Sequence, residues 1–533
     1  MATGSIEARV AIVGGGIGGA FAASWLRNAT EGTRLHIEVF ESASRIGGRT
    51  FDTGELRPDD EQKPIELGAA IAIVQNRYVA DAAAELGLSR EMRSEAVGRG
   101  QGLLAIVGKA PAGFTAGPRS LVFEESSWTI QTLTRLSWRY GLRNLARLRS
   151  QGAKFIRNFS RLYEEQEQGH AFASVDELLN VGSMQGWPRR SCEEAVGGLV
   201  GDRARISEEL VAGLAHNNYG QDWAQMGALC CFTAIAPLAA GGSKAAFSVV
   251  GGNAGLARGL FAKAGAKVHL AHRVTAVTRT EKPTAGAFNV HFAKEAGEQD
   301  SATFDHVIFA APCPSPDAVP PDGEGNLLAL CDRRVEYQPV YVTLVWGLLS
   351  PSYFGKLEST AVRALNEDFS DIFTSSDAPT PFRSIGRFDE AKAPGPKRTV
   401  KPDLTDKCDA VYSEQPTPRW KLFSSRPLEP TELADIFICH DESLTIRHAW
   451  DSPGAYPLSR PRTHNASFIL HESERGGLLL HPSAIEAATS AMEVVAVAAR
   501  NAALLVSQRV LHSGAQLDEV TESRSTGGER DEL

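Results

Sequence analysis

The feature that most constrains this chain is six residues long. Gly14-Gly15-Gly16-Ile17-Gly18-Gly19 follows a short β-branched run, Arg9 to Val13, and opens a small-residue helical run, Ile17 to Arg27. The spacing is G-x-G-x-x-G at Gly14, Gly16 and Gly19. Gly14 permits a tight turn after the strand. The missing Cβ at Gly16 lets backbone N–H groups approach a pyrophosphate. Gly19 lets the helix pack closely on the sheet, and the helix start at Ile17 and Gly18 stabilises an anion. Leu35 to Glu41 then reads as a second strand, and Glu41 is placed to accept hydrogen bonds from ribose hydroxyls. The unit is strand–helix–strand, which demands a parallel sheet.

The rest of the composition fits a dinucleotide site better than a nucleic-acid one. The net charge is −9 over 533 residues, so no basic surface invites duplex phosphate. The 50 glycines imply many tight turns and close backbone approaches. No Cys-x-x-Cys pair occurs among the seven cysteines, Cys192, Cys230, Cys231, Cys313, Cys331, Cys408 and Cys439. The count is odd, and they read as buried or free thiols, with neither a disulfide framework nor a metal site. No run of about 20 apolar residues free of charge and breakers predicts a spanning helix.

Arg45-Ile46-Gly47-Gly48-Arg49-Thr50 follows Glu41 directly. Gly48 and the Arg49 guanidinium would reach the same pyrophosphate, which an NAD domain does not need. The run resembles the flavin-containing amine oxidase superfamily and implies bound FAD. Glu66-Leu67-Gly68-Ala69 looks like the segment that passes the flavin ring. Gly251-Gly252-Asn253 and then Val268 to Val277 look like the adenine-holding strand, with Val274 in contact. Ile485 to Ala503 looks like the closing helix. Its start, with Glu486, Ala491, Met492 and Glu493, would face the flavin pyrimidine.

A narrower likeness covers about residues 8 to 510. Phe172 to Leu179, Asn218-Tyr219-Gly220-Gln221, Val249 to Leu256, Arg419 to Ser424, Trp450…Ala455-Tyr456-Pro457 and Ser490 to Leu505 carry it. Together they resemble the prenylcysteine oxidase (prenylcysteine lyase) family. The resemblance implies oxidation of the thioether of farnesyl- or geranylgeranyl-cysteine by O2 to cysteine, prenyl aldehyde and hydrogen peroxide. Because a hydride leaves the prenyl C1 and sulfur stabilises the cation left behind, no strong base is mandatory. A related flavin oxidase acting on an amine or another prenylated compound is the alternative.

The expected fold class is α/β: a Rossmann-type FAD-binding domain of the glutathione reductase and amine oxidase type with a discontinuous α+β substrate domain. Residues 1–75, 245–320 and 475–512 would form the first, 76–244 and 321–474 the second, and 513–533 a flexible tail. Residues 78–220 read as mostly helical, and 313–325 and 375–418 as loops. No catalytic triad is evident. Tyr219, Gln221, Trp450 and Tyr456 are the candidates to border flavin and substrate, and Ala228 to Ala240 could line a prenyl tunnel. His216 and His481 read as structural.

Arg135, Arg139, Arg143 and Arg147 repeat every fourth residue, and Arg149, Lys154, Arg157 and Arg161 continue the series. Residues 135–161 are thus a basic amphipathic stretch. It fits a peripheral contact with anionic lipid, or a solvated helix face whose apolar side packs on the core. Compartment is open. The first nine residues contain no secretory apolar region, which reads as cytoplasmic. The terminal Arg530-Asp531-Glu532-Leu533 resembles an ER-retention signal, and the family works in lysosome or vacuole. Asn28, Asn158 and Asn465 head Asn-x-Ser/Thr sequons.

Overall fold

The computed structural model describes residues 7–526 except 32, 57–63, 93–102, 113–116, 202–203, 281–285, 296, 314–324, 333–334, 357–360, 389–416 and 463–464. Much of both expected loops, Cys408 and the terminal tetrapeptide lie outside the described residues.

The Glu7–Val13 strand is buried along its apolar positions and sits at the centre of a six-stranded sheet. It pairs in parallel with Arg34–Phe40 on one side and His306–Phe309 on the other. Lys267–His269 extends the first edge, and Leu478–Leu480 and Ile469–Glu472 extend the second. The Ile17–Ala29 helix covers one face and packs on the helix that starts at Met492. A smaller sheet of His272–Arg279, Phe288–Lys294 and Gln299–Phe304 covers the other, through Val277, Phe288, Val290 and Phe304.

A second layer is built on a mostly antiparallel sheet. Its long strand, Val340–Leu349, pairs with Arg419–Ser424, Phe437–His440 and Ile446–Trp450. The sheet continues through Ser384–Arg387 and Phe369–Thr374 to Leu103–Lys109 and Arg119–Glu124. Residues 78–220 are mostly helical, as expected, but those last two strands interrupt them. Their apolar faces pack in a sheet formed with residues over 250 positions away, a partner that local pattern does not reveal. Helix Ala212–Tyr219 packs on this sheet, Thr129–Tyr140 reaches it through the Tyr140 and Phe123 rings, and Leu142–Glu167 packs on Ala228–Ala240.

The expectation of unpaired thiols is also corrected. Cys192 bonds to Cys231 across 39 residues and Cys313 to Cys331 across 18, and Cys439 is disulfide-bonded as well. The pairing comes from helix packing. Cys192 opens one helix, and Cys231 faces it from another, while adjacent Cys230 points away as a buried free thiol. Of the three sequons, Asn158 is buried inside its helix.

The closing helix differs from the expected Ile485 start. Pro482–Ala487 is a 3-10 turn, and the α-helix runs from Met492 to Thr526, so it takes in most of the segment read as a flexible tail. Met492–His512 is long and apolar enough to cross a membrane by composition, yet 67% of that window is buried inside the protein. It is a core helix, set against Ile17–Ala29.

Candidate active site

The glycine turn is shaped by two different neighbours. At Gly14 and Gly19 the neighbour is protein. A Cβ on Gly14 would lie 2.6 Å from the Ala310 carbonyl oxygen, with φ at +112°, and one on Gly19 would lie 2.1 Å from the Gly14 oxygen. Gly16 is otherwise. Its φ of −80° suits any residue, and the nearest atoms to an added Cβ are 3.7 and 3.8 Å away. The protein leaves that space empty, and a cavity occupies it.

The cavity has a volume of about 2010 Å³. Ligand pockets for one drug-sized molecule are roughly 300–1,000 Å³, so it has room for a dinucleotide and a second molecule. At one end it is lined by Gly14, Gly16, Ile17, Gly18, Glu41, Gly48 and Val274. Glu41 accepts hydrogen bonds from the Gly15 N–H at 2.6 Å and the Ala43 N–H at 2.7 Å. A carboxylate has about four acceptor sites, so capacity remains for a ribose. Gly19 supports this end from behind rather than lining it.

In the middle of the cavity lie Arg49, Gly68, Ala69, Trp450, Tyr456, Glu486, Ala491 and Met492. Gly68 is pressed so closely on Arg49 that a Cβ would stand 1.9 Å from the Arg49 oxygen. The Trp450 Nε1–H donates to the Leu67 carbonyl at 2.9 Å and fixes this loop. Arg49 pairs with the buried Glu486 carboxylate at 2.6 Å and donates to the Ala455 carbonyl at 3.2 Å. Burial opposes its charge, but Glu486 more than offsets that, and its pKa is raised. Arg45 is engaged too, donating to the Gly48 oxygen at 2.7 Å and lying over the Phe51 ring. With both guanidinium groups so occupied, the cavity offers a pyrophosphate chiefly backbone N–H groups.

The catalytic candidates separate. Tyr219 and Tyr456 meet edge to face, ring centroids 5.5 Å apart, and both line the cavity with Trp450. The Tyr219 hydroxyl lies 3.3 Å from Thr489 Oγ1. Gln221 lies outside the lining. Its buried amide clamps Ser459, donating to the Ser459 carbonyl at 3.4 Å and accepting its N–H at 3.1 Å. That bonding corrects its placement on the tunnel wall. Glu493 is structural as well. Its carboxylate accepts from the Tyr78 and Val79 N–H groups and the Tyr163 hydroxyl, and burial lifts its pKa to about 7.

Two buried groups lie in segments that carry the resemblance but had no role assigned to them. Lys421, 2% exposed, reaches the Glu66 carbonyl at 2.9 Å across the Phe388 and Phe423 rings and lines the cavity. Its signal was a lone lysine within an apolar strand, Arg419–Ser424. Glu66 accepts the Asn253 N–H, and burial pushes its pKa up to about 8. The histidines are held as structural groups. His216 Nδ1 lies 2.7 Å from Thr374 Oγ1, and burial lowers its pKa to about 4. His481 Nδ1 lies 2.9 Å from the Phe309 oxygen.

The far end of the cavity is apolar. Phe155, Ile156 and Phe159 from one helix face Ala236, Pro237 and Leu238 from another, with Ile71, Val74 and Leu133 beside them. Only the last turns of Ala228–Ala240, with Thr233, contribute to this wall. Leu229, Phe232 and Ile235 pack in the core.

Comparison with known proteins agrees with this fold and gives the family. Putrescine oxidase, as a triple mutant, matches the fold with a TM-score of 0.53 at 14% identity, covering 95% of this chain and all of that one. Cyclohexylamine oxidase from Brevibacterium oxydans matches at 0.52 and 14%, covering 94% and 99%. The NAD(P)-binding Rossmann-like domain model matches residues 12–86. Among curated proteins, mouse prenylcysteine oxidase 1-like is 30% identical over 510 residues, 94% of this chain and 90% of its own length. Human prenylcysteine oxidase 1 is 28% identical over 519 residues, 94% and 89%. The cavity and its apolar arm fall largely within the span of one further match, the prenylcysteine lyase model over residues 123–519, and the chain is therefore a member of the prenylcysteine lyase family.

Proposed function

We propose that this chain is an FAD-dependent oxidase that cleaves the thioether of a prenylated cysteine. The observation that carries the reading is the single cavity that runs from the Gly14–Gly18 turn to an apolar arm. The residues present fit FAD. Gly16 leaves a space the protein does not fill, Glu41 is held facing the cavity, and the Met492–Thr526 helix begins there. Bound FAD supplies the two-electron acceptor that O2 later regenerates. The balanced reaction consumes thioether, O2 and water and yields cysteine thiol, prenyl aldehyde and hydrogen peroxide.

The chain's own residues account for the rest. Phe155, Phe159, Ala236 and Leu238 bind the isoprenoid by excluding water. Tyr219, Tyr456 and Trp450 wall the middle of the cavity and orient the thioether carbon. Burial raises the Tyr219 and Tyr456 pKa values, so both hydroxyls stay protonated and act as donors. No side chain there need remove a proton from carbon.

The purified protein should show the visible bands of oxidised flavin and release peroxide with farnesylcysteine. Peroxide formed only with amines or prenylphenols would overturn the substrate assignment. A luminal, oxidising compartment goes with this reading and is supported by the bonded Cys192, Cys231, Cys313, Cys331 and Cys439. Thiol alkylation of protein taken from cells without reductant tests it, and free thiols at Cys192 and Cys313 would refute it. A peripheral contact with anionic membrane through 135–161 also goes with it, supported by the absence of any Asp or Glu from residues 126 to 163.

A further inference from the structure

The basic stretch divides at Gly141 into two unlike halves. After it, Leu148 and Phe155 are buried, and the Leu142–Glu167 helix packs on Ala228–Ala240. Before it, Thr129–Tyr140 buries only Tyr140. Leu136 packs on the core, but three of the helix's large apolar side chains face outward: Ile130 is 78% exposed, Leu133 56% and Trp138 85%. Trp128 and Leu142, just outside the helix, are 70% and 71% exposed. Ile130, Leu133, Trp138 and Leu142 line one shallow cleft. Soluble surfaces rarely gather such side chains without a partner.

The helix is nevertheless firmly placed. Arg139 holds Glu209 through two bonds, 2.6 and 2.7 Å, and the Tyr140 hydroxyl donates to the same carboxylate at 3.0 Å. The Ser126 N–H donates to Thr132 Oγ1 at 2.8 Å near the other end. Leu133 belongs both to the outer cleft and to the lining of the inner cavity, where Thr129 and Arg149 join it. The apolar patch is thus the rim of the cavity's mouth.

We propose that Thr129–Tyr140 seats in the interface of an anionic bilayer, and that the prenyl chain enters laterally from the lipid past Leu133. This rests on the prenyl-thioether reading of the cavity. Charge selects the occupant. Arg135, Arg143, Arg147 and Arg149 lie on the same two helices as the patch, and residues 126–163 contain no Asp or Glu. A two-fold contact between copies on this face would set cation against cation, whereas anionic headgroups complement it. Indole rings flanking a cationic helix are suited to the headgroup boundary. A farnesyl chain already in lipid would then move from one apolar phase to another without crossing water.

The test uses the full-length holoprotein and an Ile130→Ser, Trp138→Ser double variant, neither residue being part of the cavity lining. Vesicles are pure phosphatidylcholine, or phosphatidylcholine and phosphatidylserine in equal parts. Wild type should sediment with the anionic vesicles about tenfold more than with neutral ones, and the variant should lose that binding. Water-soluble dimethylallyl-cysteine should be turned over equally by both proteins. Farnesylcysteine carried in anionic vesicles should show a KM about tenfold higher for the variant, by the same partition argument. Equal sedimentation on both vesicles, an unchanged KM for vesicle-borne substrate, or a wild-type dimer that the variant dissolves would each overturn the proposal. Failure of the functional reading looks different: wild type would release no peroxide from dimethylallyl-cysteine, whatever its vesicle binding.

Discussion

Gly16→Ala isolates the cofactor's demand from the protein's. At this position φ is −80° and ψ −176°, which alanine adopts freely. The new methyl would touch only Gly48 Cα at 3.7 Å and the Gly47 oxygen at 3.8 Å, ordinary contact distances. Replacing an N-cap glycine should cost the apo fold about 1 kcal/mol at most. The methyl does, however, stand in the cavity where a pyrophosphate meets backbone N–H groups. Losing one or two charge-assisted hydrogen bonds there removes about 2 to 4 kcal/mol, or roughly 30- to 1,000-fold in Kd. Flavin fluorescence titration of the apoprotein reads the affinity, and thermal melting of the same sample reads the fold. Gly19→Ala is the contrasting control, because its Cβ would lie 2.1 Å from the Gly14 oxygen and should damage folding itself. Undiminished FAD affinity in Gly16→Ala would refute the cradle. So would loss of FAD that merely tracks a collapse in melting temperature.

Other expectations follow from the same geometry. Trp450→Phe removes the 2.9 Å bond to the Leu67 carbonyl and should weaken flavin binding about tenfold, read by the same titration. Breaking Cys192–Cys231 with paired serines frees a loop of 39 residues and should cost about 4 kcal/mol in the chain-entropy account, measured by urea unfolding. Glu493 and Glu66 hold their protons to about pH 7 and 8 when folded, against a usual 4.5. Between those limits the unfolded chain releases protons that the folded one keeps, so stability falls as pH rises. Glu493 contributes about 3 kcal/mol to that fall. In unfolding titrations between pH 5 and 8, Glu493→Gln should flatten the slope by roughly half, and an unchanged slope would exclude it as a source.

The parts legible in the sequence were those whose requirement is local. Gly14, Gly16 and Gly19 record a backbone path between one strand and one helix, and Glu41 marks the next strand's end, so four residues sufficed. The prenyl-binding arm was readable only by resemblance, since Phe155 and Leu238 look like any core residues. What stayed hidden depends on three-dimensional partners. Gln221 lay within a matching segment, yet its amide serves Ser459 across the fold. Cys231 pairs and Cys230 does not because of helix rotation, which no spacing rule captures. The amphipathic pattern of residues 135–161 was visible, but not that Trp138 and Leu142 turn outward while Leu148 and Phe155 turn inward.

The sheet that carries the glycine turn also fixes a timetable for synthesis. Val10 pairs with His306, and Val307 in turn with Leu479. The helix that closes the cavity begins only at Met492. A ribosome therefore releases nearly the whole chain before the first strand can find all its neighbours. Until then the Gly14–Gly19 turn has no ceiling, and the apolar arm lies open to aggregation. Any messenger truncated before residue 492 would encode the recognisable nucleotide motif but a protein unable to keep its flavin.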